Sequence, residues 1–390
     1  MTWVTTDNVS DEAWRYLLEY ANQDIAIEAI SKFHGKPDKN LNANYKKQAQ
    51  QIRASILQAK EYFEAASSSS LITSPNHLYY GMVSLCSSVM LLLGTGDKSL
   101  DRLRQKKENN HHGLSFTTNV DDKSCKVGLN ILEQSFVEVL QSGFFLQWYS
   151  SLPTTSPVYG IIRRMNQDGS VNTNRELFGN EKHLTSEEMV GTRSSVLDFL
   201  KYLPDFSFAL VNYGIPIACS RIDISVVLTA DNPQQQIVEW RIHGAPSKDF
   251  LESILGNFNF LEADKEKVVY NRSANGRSCI VKLTRESPKE GSYFAFPSYR
   301  ETINNELIMF ATTQLLRHEI VDAYVAAYGL SMLSRYYPDI WVTCLDSHCK
   351  AASVIERLVF ILIQKAPIMA LSLMRSDDFV ISTHRAPWHL

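Results

Sequence analysis

The hydrophobic period changes twice along these 390 residues, and that change constrains the fold more than any other feature. Between Asp11 and Leu93 apolar residues recur every three to four positions, which lays them on one face of a helix. Trp14, Leu17, Leu18, Ile25, Ile27 and Ile30 mark a helix over Asp11–Phe33, capped by Ser10 and stopped by Gly35-Lys-Pro37. Ile52, Ile56, Ala59, Phe63 and Ala66 mark a second over Asn44–Ala66, fraying into Ser67–Ser70. Ser74-Pro75 then restarts the chain with serine as the cap and proline in the first turn, and His77–Leu93 follows as a buried helix ended by Gly94-Thr-Gly96.

In the middle of the chain the period becomes two. Ile217–Thr229 and Gln236–His243 alternate apolar and polar as half-buried strands do, joined by a turn-like Ala230–Pro233. Lys267–Asn271, Ser278–Thr284 and Tyr293–Phe296 read as further strands, and Ser247–Leu255 as a short helix between them. Helical spacing then returns over Asn304–Arg335, Asp339–Asp346 and Ala351–Met374, with a turn at Tyr337-Pro338 and a kink at Pro367. The tail from Arg375 reads as exposed. The expected class is α+β: helical parts over 1–150 and 301–390 packing into one bundle, with an antiparallel β-rich module inserted at 155–300.

Composition excludes several function classes. Apolar residues make up 44% and aromatics 11%, too many for a disordered chain. A net charge of −3 gives no global basic field, so any nucleic-acid contact has to be a local patch. The six cysteines form no C-x-x-C pair, and Cys344, His348 and Cys349 lack the spacing of zinc ligands. Packed, reduced thiols and no metal or other cofactor are the expectation. The stretch Met1–Asp7 lacks the basic and apolar regions of an export signal. Val83–Leu93 is too short to span a bilayer, and Gln364, Lys365 and Pro367 interrupt Leu358–Met374. The expectation is therefore a cytoplasmic protein with no membrane contact.

Three segments carry a family resemblance: Glu61–Met82 (EYFEAASSSSLITSPNHLYYGM), His111-His-Gly-Leu-Ser115, and Leu330–Trp341 (LSMLSRYYPDIW). In order, spacing and helix–sheet–helix context they resemble the YaaC-like family of bacterial proteins, which no established reaction defines. The helix bearing Tyr79-Tyr80-Gly-Met, followed by His111-His112-Gly-Leu, is in turn similar to HEPN-type helical domains. Many of those are RNases or partners of nucleotide-modifying toxins in phage-defence and toxin–antitoxin systems. The resemblance implies a HEPN-like bundle that associates through its helices with a second copy or a protein partner, and RNA as a further partner class. The apolar segment Leu358–Met374 fits either a dimer face or plain core.

The catalytic signature of HEPN-type nucleases is Arg followed a few residues later by His. His moves a proton at the 2′-hydroxyl or leaving oxygen, and Arg stabilises the phosphorane charge without a metal. Arg104 and His111 have that spacing, though a chain with ten histidines offers about 1.5 such matches by chance. No polar Asn, Asp or His follows Arg104 directly, and its surroundings read as a charged loop. His111 and His112 also have a structural reading, in which they cap a helix or bond backbone carbonyls. Arg102, Lys106 and Lys107 extend a basic cluster that would touch phosphate or simply face water. Arg335, Tyr336 and Trp341 are the residue types of a binding hot spot, and equally of a packed helix end, as are Tyr79 and Tyr80.

Other motifs are discounted. Leu93–Ser99 lacks the upstream glycine of a phosphate-binding loop and places Asp97 where phosphates would sit. Asp223, Glu239 and Arg241 lie on the polar phase of the strands; a metal nuclease would need lysine where Arg241 stands. The expected function is a non-catalytic or degenerate HEPN-like binding or assembly protein of a bacterial defence or stress module. A metal-independent RNase using Arg104 and His111 is the alternative, and a housekeeping assembly factor without a nucleic-acid role is a third.

Overall fold

The computed structural model of the chain describes residues 2–37, 41–94, 99–165, 170–215, 219–229, 232–243, 268–272, 278–286, 299–304, 306–310, 315–375 and 379–382. The expected helix Ser247–Leu255 and strand Tyr293–Phe296 lie outside those residues. The fold is α+β, and the chain divides into two compact units. One contains Met1–Pro153, Thr185–Ile215 and His318–Thr383, and the other contains Thr154–Leu184 and Pro216–Arg317.

The first unit is built on helices α1 (Val9–Glu19), α2 (Gln23–His34), α3 (Asn42–Ser68) and α4 (Ser74–Leu93). The single helix expected over Asp11–Phe33 is in fact two. Asn8 caps α1 by accepting from Asp11 N–H, so Ser10 lies inside the helix, and Asn22 caps α2 by accepting from Asp24 N–H. An asparagine side chain that satisfies an orphan first-turn N–H restarts a helix without any loss of apolar period. α3 and α4 pack closely because Gly81 has no side chain: a Cβ there would meet Phe63 ring carbons at 2.7 and 2.9 Å. By length and composition α4 is apolar enough to cross a membrane, and 72% of the qualifying window is buried inside the protein.

The rest of the unit returns to α4. After α5 (Leu100–Gln105), strands β2 (Leu114–Thr118), β3 (Ser135–Val139) and β6 (Arg193–Ser195) make an antiparallel sheet in the order β2-β3-β6. Short helices α6 (Asn130–Glu133), α7 (Phe144–Tyr149), α8 (Ser186–Met189), α9 (Val196–Leu200) and α10 (Pro204–Asn212) connect them. The long helices α11 (Glu319–Tyr336) and α13 (Lys350–Met374), separated by α12 (Pro338–Asp346), both contact α4. Leu358, Leu362, Ala366, Ala370, Leu371 and Met374 of α13 are buried, so the apolar face of that segment belongs to the core. Strand β13 (Phe379–Ser382) pairs in parallel with β1 (Thr2–Thr5), and Ile381 is buried; this part of the tail is not exposed.

The second unit holds a β4–β5 hairpin (Thr155–Met165, Val171–Lys182) and a six-stranded sheet ordered β11-β12-β7-β8-β10-β9. Its strands are β7 (Cys219–Thr229), β8 (Asn232–His243), β9 (Val268–Arg272), β10 (Ser278–Glu286), β11 (Tyr299–Glu301) and β12 (Leu307–Phe310). All its pairings are antiparallel, with Asp223 opposite Arg241 and Ile224 opposite Trp240. β12 corrects the helix expected from Asn304. Its four residues are buried and pair with β7, and among the described residues of this stretch helix begins at Glu319. A continuous four-residue apolar run has no period, so burial in a sheet rather than local spacing decides it.

Candidate functional site

Tyr79 is the centre of a polar and aromatic cluster in the helical unit. Its hydroxyl lies 2.8 Å from His112 Nδ1 and 3.3 Å from the Tyr324 hydroxyl. Tyr324 and Tyr328 of α11 present ring edges to Tyr79 at 5.6 and 5.3 Å between centroids. The Tyr328 hydroxyl donates to the Leu114 carbonyl at 3.1 Å, tying α11 to the start of β2. Burial pushes the phenols of Tyr79 and Tyr324 well above their ordinary value, and that of Tyr328 up to about 12. All three are neutral hydroxyls near pH 7, able to relay a hydrogen bond and unable to act as bases.

His112 is positioned by its backbone. The N–H groups of Phe144 and Phe145, at the start of α7, donate to the carbonyls of His111 and His112 at 2.9 and 3.0 Å. The pair therefore does cap a helix, but with main-chain oxygen. The approach needs glycine on both sides: Gly113 has φ +80° and Gly143 φ +106°, and a Cβ on Gly143 would lie 2.5 Å from Gly113 Cα and 2.7 Å from His111 Cε1. The Gly113 N–H donates to His111 Nδ1 at 3.1 Å, which leaves Nε2 to meet Ser142 Oγ at 3.2 Å. The His112 ring is half-buried. Burial, followed by the nearby Arg335 and His111, lowers its pKa.

That shift has a consequence for stability. A histidine whose folded pKa lies below its unfolded one binds fewer protons when folded, so stability is lost as pH falls from about 6.5 through the lowered value. Urea midpoints measured between pH 5 and 7 will drop on acidification less steeply in His112→Gln than in the parent. Equal slopes would show that the ring is not held neutral.

Arg335, in the last turn of α11, completes the cluster. Its Nη1 donates to the Tyr80 hydroxyl at 2.9 Å, and its guanidinium carbon lies 5.5 Å from the Tyr80 ring centroid and 5.2 Å from that of Tyr336. Tyr80 in turn stacks on Tyr62 at 5.8 Å. Beneath it, Ser331 and Ser334 donate to the Asn76 side-chain oxygen at 3.1 and 3.0 Å. Arg335 is half-buried and forms no ion pair among the described residues. Tyr336 beside it is 64% exposed. An aromatic-flanked guanidinium without a carboxylate suits an incoming phosphate or carboxylate group.

Thus Tyr79, Tyr80, His112, Arg335 and Tyr336, read as candidates from sequence, share one neighbourhood. The others lie apart from it. Trp341 is buried, with its indole N–H donating to the Leu71 carbonyl at 3.2 Å. Arg104 is helical, in α5, rather than in a loop; its side chain is 69% exposed and lies 3.8 Å from Asp101. Lys106 and Lys107 are exposed just beyond that helix, and the Arg102 side chain lies outside the described residues. No described contact joins Arg104 to His111. Asp223, Glu239 and Arg241 line the sheet of the second unit. There Asp223 pairs with His243 at 2.6 Å and with Arg221 at 3.8 Å, and Arg241 lies 3.9 Å from Glu239. Among the described residues no three His, Cys, Asp or Glu side chains are grouped to hold a metal ion.

Sequence reasoning passed over Tyr324, Tyr328, Asn76, Ser331 and Ser334. A signal was present: Tyr324, Tyr328, Ser331 and Arg335 recur every three or four residues, which puts polar groups on one face of an otherwise apolar helix.

Comparison with known proteins gives one finding. A family model described as YaaC-like Protein matches residues 20–374. No curated protein and no solved structure matches. The matched span takes in the tyrosine pair of α4, the His-His-Gly turn and the Arg335 end of α11, so the chain belongs to the YaaC-like protein family.

Proposed function

We propose that the chain is a non-catalytic binding protein that takes single-stranded RNA on the surface formed by Arg335, Tyr336, Tyr80 and the rim of His112. The observation that carries this reading is the guanidinium of Arg335, which sits between two tyrosine rings with no carboxylate partner among the described residues. A phosphate would supply the missing counter-charge, and exposed Tyr336 would offer a stacking face to a base. The resemblance of the helical part to HEPN-type domains, rather than the geometry, points further to a bacterial defence or stress module.

Catalysis is not part of this reading. The Tyr79 and Tyr324 phenols are held neutral, His112 uses Nδ1 on Tyr79, and His111 is occupied with Ser142 and Gly113. Arg104 and His111 would have to meet at one phosphate for an RNase, and their contacts are with Asp101 and Ser142 instead.

Fluorescence anisotropy with a labelled single-stranded oligoribonucleotide tests the proposal. Arg335→Gln is expected to weaken binding about tenfold and to lower the salt dependence by about one counterion. The RNA should stay intact in EDTA. Absence of binding at low salt, or binding indifferent to Arg335→Gln, would reject the RNA reading. EDTA-resistant cleavage lost in both Arg104→Ala and His111→Ala would replace it with the nuclease.

A further inference from the structure

A second chemical feature lies where α12 meets α13. The chain leaves α12 through His348, which has a left-handed φ of 48°, so the next residue folds back over the helix it has just left. As a result the sulfur of Cys349, the capping residue of α13, lies 3.5 Å from that of Cys344, buried in α12. Cys349 is only half-buried. A third thiol, Cys125, is buried alongside, and the Cys349 sulfur is 3.9 Å from its carbonyl oxygen.

The two sulfurs differ in character. Burial pushes the Cys344 thiol up, and the neighbouring Cys349 pushes it further. Burial also pushes up Cys349, but contacts from Ser347, the first-turn N–H groups of Ala352 and Ala351, and the Cys344 thiol more than offset it. Those N–H groups bond the carbonyls of Cys349 and Gly128, so the sulfur feels mainly the field of the helix end. The outer sulfur thus belongs to the less buried residue and has its pKa lowered, while the inner one is fully buried with its pKa raised, and the two lie within hydrogen-bond reach of each other. A reactive cysteine next to a resolving one has this arrangement.

We propose that Cys349 and Cys344 are a dithiol oxidised by hydroperoxides to an intramolecular disulfide. The Cys349 thiolate attacks one peroxide oxygen; a sulfur–oxygen bond forms, the O–O bond breaks, and the other oxygen departs and takes a proton from water to leave as an alcohol, or as water from hydrogen peroxide. Cys344 sulfur then attacks the Cys349 sulfenic acid. The sulfur–sulfur bond forms as the S–O bond breaks, and the departing hydroxide takes the Cys344 proton to leave as water. The two thiols lose two electrons and the peroxide gains them. Bond formation has to bring the sulfurs from 3.5 Å to the roughly 2.05 Å of a disulfide, a closure within one turn of chain.

Both cysteines fall in one tryptic peptide, Tyr336–Lys350, which makes the test direct. The native full-length protein is treated with stoichiometric hydrogen peroxide, alkylated and digested. The expected result is a Tyr336–Lys350 peptide that resists alkylation until it is reduced, while Cys86, Cys125, Cys219 and Cys279 remain alkylatable. In Cys344→Ser, Cys349 should accumulate as a sulfenic acid trapped by dimedone. In Cys349→Ser, peroxide should leave Cys344 a thiol. Independently of any substitution, Cys349 of the untreated protein should react with iodoacetamide about tenfold faster than the buried thiols. A peptide that stays fully alkylatable, a disulfide to Cys125 in place of Cys344, or a Cys349 labelled no faster than Cys86 would overturn the proposal.

Discussion

Replacing Lys365 with methionine will destabilise the helical unit by about 3–5 kcal/mol, the usual cost of removing one partner from a buried ion pair. Lys365 lies on α13 with its side chain 7% exposed, 2.6 Å from Asp205 on α10 and 2.5 Å from Glu319 at the start of α11. Burial disfavours its charge, but the two carboxylates outweigh that and hold its pKa above the ordinary lysine value. The ammonium is what allows two acidic groups, 9% and 16% exposed, to sit at one helix junction. Methionine preserves the stem volume and removes only the charge, which leaves two anions to repel each other in a poorly solvated place. The urea midpoint read by far-UV circular dichroism will fall accordingly. Combining Lys365→Met with Asp205→Asn and Glu319→Gln will recover most of the loss, since the repulsion goes with the charges. If the single variant loses less than about 1 kcal/mol, the triad is solvated like a surface pair and the argument fails.

Lys365 also shows what the sequence could not convey. As a residue it only interrupts an apolar run. Its partners lie 46 and 160 positions away along the chain, and no local pattern connects three helices. The same holds for β13, whose partner β1 is at the opposite terminus, so a tail with little helical period was read as exposed. Local chemistry was far more legible. Proline does sit in the first turn of α4, though the cap is Thr73, and Ser74, inside the helix, donates to the Ala66 carbonyl instead; the Asn44–Ala66 period falls within α3. The alternation over Gln236–His243 does lie on a strand, β8. The errors in between have physical causes: an internal Asn22 cap splits α1 from α2, and the uniform apolar run Leu307–Phe310 supports either period.

The candidate site was legible in part, and for a related reason. Tyr79, Tyr80, His112, Arg335 and Tyr336 stand out because polar or aromatic groups beside apolar helix segments need partners. Their convergence depends on α11 crossing α4, which comes only with the fold. Arg104 and His111 stand out by spacing alone, and spacing along the chain is a poor guide to distance when a helix and a tight turn intervene.

Tyr324→Ala will cost about 3–5 kcal/mol, the range for deleting a large buried aromatic, and Tyr324→Phe only about 1 kcal/mol. Tyr324 is fully buried in α11, where its ring lies 4.9 Å from Trp148, 5.8 Å from Phe145 and 5.6 Å from Tyr79. Alanine leaves a cavity bounded by rings from α4 and α7, and rigid aromatic side chains cannot collapse into it. It also removes the 3.3 Å hydroxyl partner of Tyr79, so a buried phenol keeps only His112. Phenylalanine keeps every ring contact and removes only the hydroxyl. The two variants therefore separate packing from hydrogen bonding, and they lead to different results at the surface. Tyr324→Phe leaves Tyr79 on His112, so RNA affinity should match the parent. Tyr324→Ala loosens the seat of α7, whose first N–H groups hold the His111 and His112 carbonyls, and should weaken binding even at temperatures where the protein stays folded. Equal unfolding midpoints for the two variants would show that the ring contributes little. Parent-like binding by a folded Tyr324→Ala would show that the surface at Arg335 does not depend on the core beneath it.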